Sequence, residues 1–332
     1  MSSSKVISSI SGEGLHLPAT IECAIEAAKI EGWSFEFVRL GKIFALLVSS
    51  DERTVVLPLG CREMYPGTPA DGAKICRDKW SCYSMLAEHG VPIISGTRLI
   101  RSRCWEIDLQ AVKSEKVTSE NMPMFIKPVD GCCGESAVAI LGWEEVHSYL
   151  KVFCKTGRDV VLQPYVCARE IRLIVLNGVA YAGYERKGPF ILGDGVSTYM
   201  QLCADLLGVS VTYRFLEAWF GRLGIDSSGV SVPGVTIEVP GAKNLSKGGD
   251  AMGLSNSCIL KDLQPLTRKV YDILQVPVMG VDIFLSSEQT GVKVIEVNAS
   301  PDMSGLVTTG DRSKVVALWR GLIGRQFLGS GV

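Results

Sequence analysis

The chain has 332 residues, 47% of them apolar, with 34 Lys and Arg against 35 Asp and Glu and a formal net charge of −1. That apolar content is enough for two or three packed lobes, and nothing in the near-neutral balance calls for a nucleic-acid or membrane surface. An anionic ligand must therefore be held by local charges.

From residue 1 to about 70 the pattern predicts a small α/β unit, with a helix in "PATIECAIEAAKIEG" followed by two strands in "SFEFVRLGKIFALLVSS" and "RTVVLPL". The stretch "DGAKICRDKWSCYSMLAEHGVP" reads as one helix running to His89, stopped by Gly90 and Pro92. A further short lobe begins near Thr97, and "MFIKPV" is a strand ended by Pro128 with "DGCCGES" directly after it. "VVLQPYVCAREIRLIVLNGVAYAGYERK" carries Asn177-Gly178 between two apolar runs, a strong hairpin signal. Residues 197–224 read as helical, 225–257 as loop-rich, "VMGVDIFLSSEQTGVKVIEVN" as a second hairpin, and a terminal helix begins at about Ser313. Eleven cysteines, an odd number scattered without paired spacing, read as reduced thiols of a cytoplasmic protein. "MSSSKVISSISGEG" lacks the apolar core of a signal peptide, and no apolar run approaches the roughly 20 residues of a spanning helix, so a soluble protein without a membrane partner is expected.

The second hairpin poses the main chemical question. Glu296 and Asn298 lie two residues apart on an apolar strand and so face one side. If Ser287 to Gly291 form the loop, pairing symmetric about Gln289 sets Asp282 across from Glu296, where like charges are destabilising. Two carboxylates and an amide are hard oxygen ligands suited to Mg²⁺ with substrate phosphates. A solvated acidic sheet face is the alternative, although both strands are apolar on both faces.

Other candidate stretches are ambiguous alone. Lys127 entering a glycine-containing loop suits a phosphate cradle, or is an ordinary surface turn. "LQPYVCAREIR" could line a nucleotide slot or be a strand with a charged edge, and "KNLSKGGD" could hold an anionic substrate or be a surface loop. His16, His89 and His147 are isolated, which argues against a phosphohistidine mechanism.

In order along the chain, Lys79, Lys127 with its loop, "LQPYVCAREIR" and "GVDIF…VIEVNAS" resemble the ATP-grasp superfamily over about residues 68 to 306. "AKICRDKWSCYSMLAEHGVP", "GDGVST", "NLSKGGDA" and "VIEVNASPDM" look most like the ligase modules of cyanophycin synthetases and bifunctional glutathione synthetases. "EVNASPDMSGL" is also similar to D-alanine–D-alanine and L-amino-acid (dipeptide) ligases. The resemblance implies an α/β (α+β) ATP-grasp fold that holds a nucleotide between two lobes, preceded by the N-terminal unit of residues 1–70. The expected divisions are 71–168, including a lid lobe from about 97, and a C-terminal lobe over 169–332 bearing the metal and substrate site.

Carried over residue by residue, the resemblance implies that Lys79, Lys127, Gly131, Gly134, Glu135 and Ser136 meet the ATP phosphates. Gln163, Tyr165 and Val166 would border adenine, and Glu170 the ribose. Asp282, Glu296 and Asn298 would hold Mg²⁺, with Mn²⁺ as an alternative ion, and Arg172 and Arg186 would act on the transferred phosphoryl group; Lys247, a further catalytic candidate, belongs to the loop whose chemistry suits an anionic substrate or intermediate. Asn244, Ser246, Ser300, Asp302 and Met303 would face the substrate, with the helix after Ser300 offering N–H groups to a substrate carboxylate. Symmetric pairing about Asn177-Gly178 puts Glu185 rather than Arg186 on the face of Arg172, so Arg186 requires a bulge or strand end. "DGCCGES" also lacks the basic residue that relatives often carry there, and the N-terminal unit is short for a dipeptide ligase.

The expected activity is an ATP-dependent carboxylate–amine ligase joining amino acids or peptides through an acyl phosphate, with release of ADP and phosphate. The partners are small molecules, not nucleic acid, and a homodimer is the assembly allowed for. Alternatives are a non-catalytic nucleotide-binding module, a glutathione- or cyanophycin-synthetase-like ligase acting on a larger peptide, and another ATP-grasp reaction such as a carboxylase step.

Overall fold

The computed structural model describes residues 7–10, 17–59, 64–115, 123–131, 134–207, 211–241, 243, 248–254, 258–286 and 291–328. Its centre is a five-stranded antiparallel sheet in the order Asp250–Gly253, Val179–Lys187, Arg169–Leu176, Val278–Leu285, Val292–Asn298. The Asn177-Gly178 turn joins the second and third of these strands. Both residues take positive φ, 49° and 83°, as a two-residue turn matched to strand twist requires.

Alternation divides the sheet into two faces. Ile171, Leu173, Val175, Met279, Val281 and Ile283 are buried on one, in a core with residues of helices Ala70–Arg77, Lys79–Glu88 and Gln264–Leu274. On the other, Ile174, Ala182, Tyr184 and Val278 join a core formed with helices Ala19–Glu31 and Arg312–Leu328. Cys23, Ala24, Ala27 and Ala28 keep the contacting face of the first of these helices small. Farther along that second face the apolar pattern gives way to charged residues, and there the sheet opens into a cavity.

The N-terminal sheet runs in the order Ile7–Ile10, Ser34–Leu40, Ile43–Ser49, Thr54–Leu59. "SFEFVRLGKIFALLVSS" is thus itself a hairpin, turned at Gly41, whose φ is 62°. A third sheet, ordered Arg98–Ile100, Val160–Pro164, Pro123–Pro128, Val138–Leu141, covers the cavity with its own core of Ile126, Ile140, Val146 and Leu150.

Two expected helices are each broken in two. Ala70–Arg77 ends at Asp78, whose side chain accepts from Ser81 N at 2.6 Å and caps the new helix Lys79–Glu88. The break sets Lys79 at a helix start rather than mid-helix. Likewise the 197–224 stretch forms Tyr199–Leu207 and Tyr213–Arg222, the latter capped by Thr212, which accepts from Phe215 N. The stretch expected to be loops contributes Thr236–Glu238, paired with Phe190–Leu192, and the sheet edge Asp250–Gly253. All eight described cysteines are free thiols, and no described helix is long and apolar enough to cross a membrane.

Candidate active site

Cross-strand register builds the floor of the site. Tyr184, Arg172, Asp282 and Glu296 stand opposite one another in one row across four strands. The next row holds Arg186, Glu170 and Phe284, and another brings Gly280 beside Asn298. Two bulges set these rows. Ile295 is an extra residue between the pairs Asp282–Glu296 and Ile283–Val294, and Tyr181 is extra between Ala180–Val175 and Ala182–Ile174. The second bulge turns Arg186 onto the face of Arg172 and leaves Glu185 on the other side, with Arg169 at 2.7 Å and Lys187 at 2.6 Å. Gly280 leaves space for Arg172: a β-carbon there would lie 3.2 Å from Arg172 Cδ and 2.8 Å from Pro301 Cβ.

The roof comes from the third sheet. Phe125 and Lys127 share a face by their spacing of two, and Gln163 stands opposite Phe125. Lys79 ties roof to floor, since its backbone N–H donates to Val129 O at 3.0 Å, its ammonium donates to Gly131 O, and Nζ lies 3.7 Å from Glu296 Oε2. The cavity between roof and floor is about 350 Å³, partly open to solvent, and is also lined by Gly134, Glu135, Tyr165, Val166, Ser300 and Asp302.

The arginines of the floor are paired with carboxylates. Arg172 donates to Asp282 through Nε and Nη2, the latter at 2.6 Å, and Arg186 Nη1 lies 3.0 Å from Glu170 Oε1 and 3.4 Å from Asp282 Oδ2. Burial pushes the Asp282 carboxyl up, but Arg172 and Arg186 outweigh it and hold the group below its ordinary range. Burial raises Glu170 despite Arg186, and burial lowers the Lys127 ammonium despite the pull of Glu296. Arg186 Nε and Gln163 Oε1 are buried with no hydrogen-bond partner among the described residues.

The metal-type trio can be tested on these contacts. Among the described residues no three His, Cys, Asp or Glu side chains stand close enough to hold a metal ion by themselves, and the oxygen donors here are two carboxylates plus an amide. Glu296 has its cation at 3.7 Å and part of its surface facing the cavity, and no described residue hydrogen-bonds the Asn298 carboxamide. Hard oxygen donors, two of them weakly engaged, fit a Mg²⁺-sized ion.

Some expected site residues lie elsewhere. Met303 is fully buried in the core with Leu306 and Trp319, so it does not line the cavity. Ser136, with φ 52°, offers its carbonyl to Tyr149 OH at 2.6 Å and stands away from the cavity wall. The helix after Ser300 is only Ser304–Thr308, and Asp302 already accepts its first N–H, from Ser304, at 3.1 Å; it has no donor set for a substrate carboxylate. Asn244, Ser246 and Lys247 lie outside the described residues, as do Cys132, Cys133 and His16.

Three contributors escaped the sequence reading. Lys243 lines the cavity and bridges Glu238 at 3.4 Å and Ala168 O at 3.4 Å. Tyr184 reaches the site row from the strand that carries Arg186, a position visible only once the Tyr181 bulge is known. Arg158 binds Asp130 at 2.9 Å and Glu135 at 3.1 Å, so a basic residue absent from the glycine-containing loop itself is supplied from beside it.

No protein-family model matches the chain. In sequence it is 26% identical over 254 residues to the cyanophycin synthetase of Trichormus variabilis, an alignment covering 69% of this chain and 27% of that protein. The chain therefore spans about a quarter of the length of this relative. In fold it is similar to a bifunctional glutathione synthetase from Pasteurella multocida, with TM-score 0.53, 15% identity and coverage of 92% of this chain and 43% of the other. It is also similar to a D-alanine–D-alanine ligase from Bacillus anthracis complexed with ATP, with TM-score 0.51, 14% identity and coverage of 80% and 72%. These likenesses and the layered architecture give the chain an α/β ATP-grasp fold.

Proposed function

We propose that the chain is an ATP-dependent carboxylate–amine ligase that joins amino acids or short peptides through an acyl phosphate, with ADP and phosphate released. The observation that carries this reading is the convergence of Lys79, Lys127, Glu170, Arg172, Arg186, Asp282, Glu296 and Asn298 on one cavity between two sheets.

Lys79 and Lys127 suit the nucleotide phosphates, and the desolvated Lys127 ammonium gains a strong partner when an anion enters. Gln163 Oε1, buried without a donor beside Tyr165 and Val166, suits the exocyclic amino group of adenine, and Glu170 suits ribose hydroxyls. Asp282, Glu296 and Asn298 would hold Mg²⁺, which supplies charge neutralisation on the phosphate oxygens. A substrate carboxylate oxygen attacks the γ-phosphorus as the bond to ADP breaks. Arg172 and Arg186 face that transfer, and Arg186 Nε still has a hydrogen bond to give. An amine then attacks the acyl carbon, phosphate departs with the former carboxylate oxygen, and the amine loses a proton. The roof sheet excludes water from an intermediate prone to hydrolysis.

The test is ADP release from MgATP across a panel of amino-acid pairs, with products read by mass. An amide mass together with equal ADP and phosphate supports the reading. AMP with pyrophosphate contradicts it, and nucleotide binding without product from any pair favours a non-catalytic module.

A further inference from the structure

Five carboxylates line the cavity: Glu135, Glu170, Asp282, Glu296 and Asp302. Four face a cation of the protein, namely Arg158, Arg186, Arg172 and Lys79 in that order. Asp302 has no ion pair among the described residues. Its carboxylate is nevertheless oriented. Oδ1 accepts from Thr20 Oγ1 at 2.8 Å, Ser304 Oγ at 2.8 Å and Ser304 N at 3.1 Å, whereas no described donor meets Oδ2.

The support behind Asp302 is a chain of hydrogen bonds from the N-terminal unit. Thr20 lies on the N-terminal helix Ala19–Glu31 and is 1% exposed; its hydroxyl also accepts from Met303 N at 3.0 Å, and its carbonyl accepts from Trp319 Nε1 at 2.8 Å. Tyr65 OH donates to Pro301 O at 2.7 Å, and Met64 N donates to Ser300 Oγ at 3.1 Å. The N-terminal unit thus fixes the 300–304 wall from behind and leaves Oδ2 of Asp302, a solvent-exposed residue of the cavity wall, without a donor among the described residues. A carboxylate held by three donors on one oxygen keeps the other open to water or to a cationic guest, and the charge-assisted bond to a cation is the stronger of the two.

We propose that Asp302 Oδ2 receives a non-reacting ammonium group of the substrate and that Thr20 is the positioning residue that aims it. This assigns the wall beside the metal-type trio to a cation rather than to a substrate carboxylate. It rests on the ligase reading for the word substrate, but the binding site itself does not depend on turnover. The ammonium comes either from the α-position of an amino acid or from a basic side chain, and one probe series separates these sources.

The probes are hexanoate, L-norleucine and L-lysine, which add first an α-ammonium and then a terminal ammonium to one carbon skeleton. Binding is read by calorimetry on the full chain, with and without Mg²⁺ and a non-hydrolysable ATP analogue. One step of the series should tighten binding at least tenfold in the parent protein, norleucine over hexanoate for an α-ammonium or lysine over norleucine for a side chain. That step should vanish in Asp302→Asn, whose amide oxygen can keep the three Oδ1 contacts while the charge is lost. Thr20→Val should shrink the step, and Thr20→Ser should restore it. A series that is flat in the parent, or a step that survives Asp302→Asn, overturns the proposal. Failure of the ATP analogue to bind would instead count against the nucleotide site, while the series measured without nucleotide still decides on Asp302.

Discussion

Asp282→Asn and Glu296→Gln each remove one carboxylate of the metal-type trio, but the structure sets different stability costs for them. Asp282 is 3% exposed and lies against the buried guanidinium of Arg172, with Arg186 at 3.4 Å. An amide there leaves the Arg172 charge buried without its counterion, and breaking such a pair costs about 3–5 kcal/mol. Arg186 keeps Glu170 at 3.0 Å, so the lower end, about 3 kcal/mol, is expected. Glu296 is partly exposed, with Lys79 as its 3.7 Å neighbour, and a pair of that kind contributes about 0–1 kcal/mol. Both variants should lose ADP release, but in urea unfolding with EDTA present only Asp282→Asn should show a large shift. Equal stability of Asp282→Asn and the parent, or a loss near 3 kcal/mol in Glu296→Gln with activity spared, would contradict these two assignments.

Lys127 has a folded-state pKa below its ordinary 10.5 because of burial, against the pull of Glu296, so the unfolded chain binds more protons between the two values. Stability should therefore rise with pH through that window, and urea unfolding up to pH 10.5 should show the rise disappear in Lys127→Met. Gly305→Ala should destabilise by about 1–3 kcal/mol, since a β-carbon there would fall 2.3 Å from Tyr184 Cζ. Gly321→Ala, in the terminal helix with open space around the new methyl, should stabilise by about 0.5–1 kcal/mol, and thermal melting compares the two. Hydrogen exchange of the amides in 123–131 should slow on adding Mg²⁺ with an ATP analogue, while those of 34–59 stay unchanged; the reverse pattern would put the nucleotide in the N-terminal unit.

Much of the site was legible because strand periodicity is short-range. Glu296 and Asn298 share a face by spacing alone, and the apolar strands around them mark a buried setting. The Asp282–Glu296 pairing was also inferred, although by a route the structure alters. The pairs near the turn, Leu285–Val292 and Ile283–Val294, are offset by one residue from symmetry about Gln289, and the Ile295 bulge restores the expected match. Bulges are set by tertiary packing and leave little trace in a single sequence, which is why the position of Tyr184 escaped and why Arg186 could be given only a condition. Asp78 was absorbed into a helix pattern that its capping side chain interrupts. Met303, an apolar residue after a site strand, fits a substrate wall or a core equally well in sequence, and burial against Leu306 and Trp319 decides for the core. The N-terminal unit's hold on the 300–304 wall joins Thr20 to Asp302 across 282 residues of chain, a contact that no local pattern encodes.

In the proposed reaction a substrate carboxylate oxygen passes through an acyl phosphate into the released phosphate. Once the amino-acid panel yields a working pair, its carboxyl component labelled with ¹⁸O at both oxygens tests that claim directly. One ¹⁸O atom should appear in each released phosphate and one should stay in the amide, with none in the nucleotide. Label in AMP, or phosphate free of label alongside amide product, would contradict it.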